Sequence, residues 1–168
     1  MVISAGRGSL PDLVGGPRCS GCRVAAGPLC RACRTKIAAA VERPPPRPVS
    51  RLVVPWAYDG PVRSLVLDLK LRAARAAADP LVDAMAVEVW RRGLIGALLT
   101  WVPANRRDNG RRGYDHAEIL ARGLGIRLGL PAAPLLARSR EALDQAGLGA
   151  KERRRNLDRA FAAQGCPG

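Results

Sequence analysis

The sequence predicts an α/β domain preceded by a small four-cysteine knuckle. Three observations predict it. Two Cys-x-x-Cys pairs, Cys19/Cys22 and Cys30/Cys33, lie close together near the start. A cluster of prolines, Pro44, Pro45, Pro46 and Pro48, follows them. Beyond the prolines, a short apolar run at 98–102, a polar loop and an amphipathic stretch at 114–128 give the order strand, loop, helix, which is half of a βαβ unit.

The cysteines come first in the chain and carry the most specific chemistry. Two residues between cysteines let one tight turn aim both sulfurs at a common point. Two such turns supply four thiolates, the full tetrahedral shell of a structural zinc. Gly21 lies inside the first pair and Gly27-Pro28 between the two, where the backbone must reverse sharply. A redox Cys-x-x-Cys and a pair of disulfides are the competing readings. The first expects a thioredoxin-like strand ahead of the motif, and the second an oxidising compartment. Residues 1–17 read as a flexible leader without the apolar core of a signal peptide. Cys166 stands apart as an expected free thiol.

The remaining elements follow in order. Residues 18–42 form the expected zinc ribbon, with a short helix over 34–41. Residues 43–50 are a stiff proline-rich linker. Residues 51–58 read as a strand that ends at the turn Asp59-Gly60-Pro61. Val62, Leu65, Val66 and Leu69 fall on one helical face of 62–78. Asp79-Pro80 opens a further helix, with Val82, Met85 and Val89 in period. The run at 98–102 is apolar throughout except for Thr100, as suits a parallel strand buried on both faces. A loop at 104–113, a helix at 114–128 and a short strand at 131–137 complete the pattern. Residues 51–168 are thus expected to be one partial domain.

Charge narrows the function classes. Lys and Arg number 28 against 14 Asp and Glu, a net charge of +14. The excess lies in residues 1–50 and 101–168, and the middle is near neutral. A basic surface favours polyanions, either nucleic acid or phosphorylated small molecules. With three Trp, two Tyr and one Phe, the chain offers few platforms for stacking single-stranded bases. No apolar run is long enough for a membrane span, and a cytoplasmic protein is expected.

Two basic constellations suggest chemistry. The loop 105–113 follows the end of the expected parallel strand, where ligands of open α/β sheets bind. It carries Arg106, Arg107, Arg111 and Arg112, with Gly110 and Gly113 allowing close backbone approach. A helix starts directly after it, and guanidinium forks match phosphate oxygens in pairs. The loop therefore reads as a phosphate or pyrophosphate cradle, against the plainer reading of a solvated basic loop. The second constellation is Arg138, Arg140, Gln145, Lys151, Arg153, Arg154, Arg155 and Asn156. It carries too many like charges for a packed helix face and suits a flap ordered by an anionic ligand. His116, the only histidine, has no evident catalytic partner.

These motifs, in this order, resemble the ComF family of competence-associated, type I phosphoribosyltransferase-like proteins. The resemblance covers residues 18–161. It rests on the cysteine pairs, the proline linker, Tyr58-Asp-Gly-Pro-Val-Arg63, Leu69-Lys70, Val102-Pro103, Arg112-Gly-Tyr-Asp-His116 and the stretch 138–161. It implies a type I phosphoribosyltransferase-like domain, here incomplete, behind a zinc ribbon. It implies phosphate or pyrophosphate contacts from Arg106, Arg107, Arg111, Arg112, Gly113, Arg138, Arg140 and Arg153. In such enzymes a nitrogen nucleophile displaces pyrophosphate from ribose C1, with magnesium on the diphosphate of phosphoribosyl pyrophosphate.

The chain departs from the family at Asp115-His116, where Asn-Gln is common. It departs further after Phe161. There the family places a strand, two acidic residues and a Thr-Gly-Thr-like turn that hold the ribose and its phosphate. The 168 residues contain no Asp-Asp pair. The expectation is therefore a C-terminally truncated or frame-disrupted, catalytically inactive relative linked to DNA uptake, prone to self-association through uncovered apolar faces, with a genuine short variant as the competing explanation. The rival is a non-catalytic zinc-containing module that grips single-stranded DNA or a DNA-uptake helicase.

Overall fold

The computed structural model describes residues 16–94, 96, 98–105, 109–110, 113–139 and 149–165, without the side chains of residues 150, 153, 154 and 156. The chain divides into two compact units, Met1–Ala84 and Met85–Gly168. The structure is a mixed one, mainly helical, with one two-stranded sheet among the described residues.

The first unit begins with the knuckle. Its second cysteine pair opens a single helical turn, α1 (Arg31–Arg34), with Cys30 as the extended N-cap residue. The helix expected over 34–41 is not formed. The chain leaves α1 at Thr35 and runs to Ala39, which makes an antiparallel bridge to Trp56. Ala57 N–H also donates to the Ala38 carbonyl at 3.0 Å. The expected strand at 51–58 is reduced to this bridge. Pro55 lacks the N–H that a longer ladder would need. The prolines of the linker thus lie within one compact unit, joining two segments that hydrogen-bond to each other.

Helix α2 (Gly60–Leu71) follows, with Asp59 as its extended N-cap residue and Pro61 in the first turn. The turn read at 59–61 is therefore the first turn of the helix, a position where the missing proline N–H costs nothing. Val62, Leu65 and Leu69 are buried at the expected spacing. The helix stops at Arg72 and Ala73, where Ala73 takes a positive φ of 55°. A 3₁₀ turn (Arg75–Ala77), packed against α2, leads into α3 (Ala78–Arg91). The buried positions of α3 are Ala78, Pro80 and Val82, all in its first two turns. Val87 and Trp90 are exposed, the latter at 83%. The first core is thus built from Cys19, Leu65, Leu69, Ala77 and Val82, each at most 1% exposed.

The second unit carries the strand–loop–helix–strand order. Leu99 forms a parallel bridge with Ala132. Its N–H donates to the Pro131 carbonyl and its carbonyl accepts from Ala133 N–H, each at 2.9 Å. This is the slanted pattern of a parallel pair. The segment at 98–102 pairs through this one residue, shorter than the expected strand. Helix α4 (His116–Leu128) links the two sides and ends at Gly129, which takes the left-handed conformation with φ 68°. Strand β1 (Leu136–Arg138) continues the chain. Helix α5 (Ala150–Leu157) precedes β2 (Phe161–Ala163), and β1 and β2 pair antiparallel with Arg138 opposite Phe161. Among its described side chains α5 is exposed, as its charge density requires. None of the described helices is long and apolar enough to cross a membrane.

Candidate metal centre

The four knuckle cysteines converge. The sulfurs of Cys19, Cys22, Cys30 and Cys33 all lie within 4.8 Å of one another. Cys22 Sγ and Cys30 Sγ are 3.6 Å apart, far beyond a disulfide bond and close to the edge of about 3.8 Å that a tetrahedron of Zn–S bonds near 2.3 Å requires. Cys19, Cys30 and Cys33 are buried, and Cys22 is exposed. All four are free thiols, so the disulfide reading fails for the described cysteines; Cys166 lies outside them.

Local backbone bonding produces this convergence. Arg23 N–H donates to the Cys19 carbonyl at 2.8 Å, and Cys19 N–H to the Val24 carbonyl at 2.8 Å, closing the first turn. Arg23 completes the turn with φ at 65°. Ser20 N–H reaches the Pro28 carbonyl at 2.9 Å, and Cys30 N–H reaches Cys19 Sγ at 3.4 Å, tying the first pair to the second. Gly21 is the close-packed point. A Cβ there would lie 2.7 Å from Cys33 Sγ and 3.3 Å from Pro61 Cβ. The knuckle is therefore seated against the start of α2.

The thiols differ electrostatically. Burial alone would raise Cys19, but the backbone N–H groups of Cys30, Cys22 and Gly21 outweigh it and lower its pKa to about 6. Burial pushes Cys33 up to about 12, and bonds to the other three sulfurs add to the rise. One thiolate is thus preformed at neutral pH, whereas Cys33 gives up its proton when a cation arrives. A set of four sulfurs, three of them from buried cysteines, with no carboxylate or imidazole suits a soft-accepting, tetrahedral ion such as zinc. With four protein ligands the centre would be closed, and the metal structural.

A carboxylate that sequence reading passed over sits behind the knuckle. Asp68 on α2 is 2% exposed. Arg23 Nη1 donates to its Oδ2 at 2.7 Å and Nη2 to its Oδ1 at 3.1 Å, a bidentate pair. Arg72, one turn later, donates to Oδ1 as well. Burial would raise the Asp68 carboxyl, but bonds from Arg23, Ser20 and Arg72 hold it below the usual carboxylate range. The signal was present in the sequence. Asp68 lies three residues after Leu65, on the face that is otherwise apolar, and a carboxylate there needs partners.

The second unit holds the described part of the phosphate-cradle reading. Arg106, Arg107, Arg111, Arg112 and Arg140 lie outside the described residues, as does the Arg153 side chain. Gly113 is described, with φ 73° and its N–H on the Asn109 carbonyl at 2.7 Å. Asp115 caps α4 and is 8% exposed. Its Oδ1 accepts from Ala117 N–H at 2.9 Å, and its Oδ2 accepts from Ala104 N–H at 2.7 Å and from Asn109 Nδ2 at 3.4 Å. One carboxylate therefore ties the start and middle of the loop to the helix that follows.

Arg138 reaches the same end of the unit. Its Nη2 donates to the Pro103 carbonyl at 3.3 Å, and its guanidinium lies 4.9 Å from the Phe161 ring centre. Its Nε and Nη1 are buried without a hydrogen-bond partner among the described residues, as is Asn109 Oδ1. Arg138 is thus rooted in a strand rather than in a free flap.

No family model, no curated protein and no solved structure matches this chain.

Proposed function

We propose that this chain is a ComF-like, phosphoribosyltransferase-related protein of DNA uptake, stapled at its N-terminus by a structural zinc. Its second unit binds phosphate or pyrophosphate at the strand ends. Zinc, held by Cys19, Cys22, Cys30 and Cys33, would supply folding free energy and no reaction chemistry. The parallel bridge Leu99–Ala132, with α4 between its two sides, supports the half βαβ unit that this reading requires.

The observation that carries the binding site is Arg138. A guanidinium with two buried nitrogens and no acceptor for either among the described residues is costly unless an anion supplies the acceptors. The position is apt. Arg138 bonds to Pro103, just beyond the end of the 98–102 segment, where open α/β sheets take their ligands. Magnesium would accompany a diphosphate there. Binding without turnover is the expected behaviour of these 168 residues. They contain neither an Asp-Asp pair nor a Thr-Gly step to hold ribose C1 in line.

Calorimetric titration of the zinc-loaded chain with magnesium pyrophosphate tests the reading, with Arg138→Met as the comparison. Each charge-assisted bond is worth about 1.5–3 kcal/mol, so the variant should bind at least roughly tenfold more weakly. Equal binding by both proteins would overturn the site. Salt-dependent binding of single-stranded DNA, with no pyrophosphate affinity, would favour the rival module that grips nucleic acid without chemistry.

A further inference from the structure

The metal centre and helix α2 share one buried carboxylate. Asp68 projects from the third turn of α2 into the back of the knuckle. It accepts from Arg23, the residue directly after Cys22, through two bonds of 2.7 and 3.1 Å. Ser20, between Cys19 and Gly21, lies near enough to help hold the Asp68 carboxyl below the usual carboxylate range. Arg72 closes the set from the end of α2. The turn that carries Cys19 and Cys22 is therefore gripped through both Nη atoms of Arg23 by a side chain that belongs to another element.

The grip matters because of what Arg23 does locally. Its N–H holds the Cys19 carbonyl at 2.8 Å, and it takes a positive φ that a non-glycine residue adopts only when its surroundings hold it there. The bidentate pair with Asp68 is the contact that holds it. A second seat lies at the other end of α2, where Gly21 and Pro61 approach so closely that a Cβ on Gly21 would lie 3.3 Å from the proline ring. The knuckle is thus docked at the first turn and the third turn of the same helix.

From this geometry we infer that Asp68 is a positioning residue of the metal centre, and that metal binding and the folding of α2 are one event. Asp68 touches no metal ligand atom. It acts through Arg23, whose N–H on the Cys19 carbonyl sets where Cys19 and Cys22 point. Outer partners of this kind commonly change metal affinity by roughly 10–100-fold when replaced. The dependence runs both ways. Without metal the sulfurs have nothing to converge on, Arg23 loses its fixed position, and Asp68 is left as a buried charge on a helix only twelve residues long. Helix α2 then loses both its docking partner and the pairing of its buried carboxylate.

The inference rests on zinc binding by the four cysteines, so the first measurement is the zinc content of the unsubstituted full chain. Its absence overturns both readings. Given zinc, competition with a chelating dye compares the unsubstituted chain with Asp68→Asn and Arg23→Gln. Each variant should bind zinc roughly 10–100-fold more weakly, and cobalt(II) in the site should show an altered visible absorption. Glu88→Gln removes a carboxylate paired with Arg91 and Arg92 in the other unit, and should leave zinc affinity unchanged. Zinc affinity of Asp68→Asn and Arg23→Gln within twofold of the original overturns the inference. Hydrogen exchange of the unsubstituted chain gives the independent readout, which needs no variant to fold. Removing zinc should strip protection from α2, and protection retained over residues 60–71 after removal overturns the coupling.

Discussion

The Cβ that Gly21 lacks would lie 2.7 Å from the sulfur of Cys33. The two residues belong to opposite halves of the knuckle, so the halves meet with no room for a methyl group. Gly21→Ala forces either the sulfur or the chain to move. Overpacking of this kind costs about 1–3 kcal/mol. Because the displaced atom is a ligand, the loss should be larger in zinc-loaded protein than in chelator-treated protein. Denaturant unfolding under both conditions measures the difference, and an equal loss in each would count against Cys33 as a ligand.

Zinc binding should release protons in a way set by the unequal thiols. Metal ligands must be thiolates, so affinity rises with pH. Cys33, at about 12, yields one proton for each zinc bound throughout the neutral range. Cys19, at about 6, is already mostly ionised at neutrality and adds a further proton only in acid. The pH dependence should therefore steepen below about 6. Calorimetry in buffers of different ionisation enthalpy counts the protons directly, and a count independent of pH across this range would contradict the assignment.

Replacing Asp68 should cost stability with a defined pH window. The carboxyl is held below the usual carboxylate range by Arg23, Ser20 and Arg72 against the opposing effect of burial. A lowered folded-state value contributes stability that is fully present above the unfolded value, near 3.8, and lost as pH falls through the folded one. Asp68→Asn should lose about 1.5–3 kcal/mol, the scale of hydrogen bonds to charged groups, at neutral pH. The gap between the two proteins should then narrow below about pH 4. Unfolding midpoints measured on both proteins at each pH, in saturating zinc and again after chelation, separate the carboxylate's own contribution from its effect on zinc affinity. A gap that persists unchanged to pH 2 would refute it.

Asp115 should matter as an acceptor rather than as a charge alone. Its two oxygens satisfy the N–H groups of Ala104 and Ala117 and the amide of Asn109. Asp115→Ala strips the cap from α4 and strands a loop N–H, at a cost of about 1–3 kcal/mol. Asp115→Asn keeps one oxygen for the cap and should lose less. The order of the two midpoints is the measurement. Hydrogen exchange at Ala104 and Ala117 should quicken in the alanine variant.

Legibility in the sequence followed the range of the interaction. The cysteine cluster was readable because two-residue spacings fix each pair locally and only a short loop separates the pairs. Helix α4 was readable from its period, and its boundaries needed only Asp115 and Gly129. The parallel relation of Leu99 and Ala132 followed from strand–loop–helix order. The segment at 51–58 misled because its apolar content suggested a strand, while Pro55 denied it a ladder. Asp68 escaped notice because its partner Arg23 stands far back in the chain, among so many arginines that none could be singled out. Arg138 was assigned to a flap because its neighbours in sequence are charged. Its actual setting is decided by pairing with Phe161, well beyond those neighbours.

Gly125 fixes how α4 lies on its strands. A Cβ there would stand 2.6 Å from the Leu130 carbonyl oxygen, with Ala132 Cβ and Leu99 Cδ1 each 3.6 Å away. The helix therefore touches both sides of the parallel bridge through a notch one residue wide. A side chain at 125 would have to displace that carbonyl, so the close seating of α4 on the bridge depends on the missing Cβ. The notch works as a keyway. It indexes Asp115 at the front of the helix to Leu130 at the back, and so sets where the loop after residue 103 is anchored. Any larger side chain at position 125 is a wedge under that anchor, acting from the far side of the helix on residues it never meets.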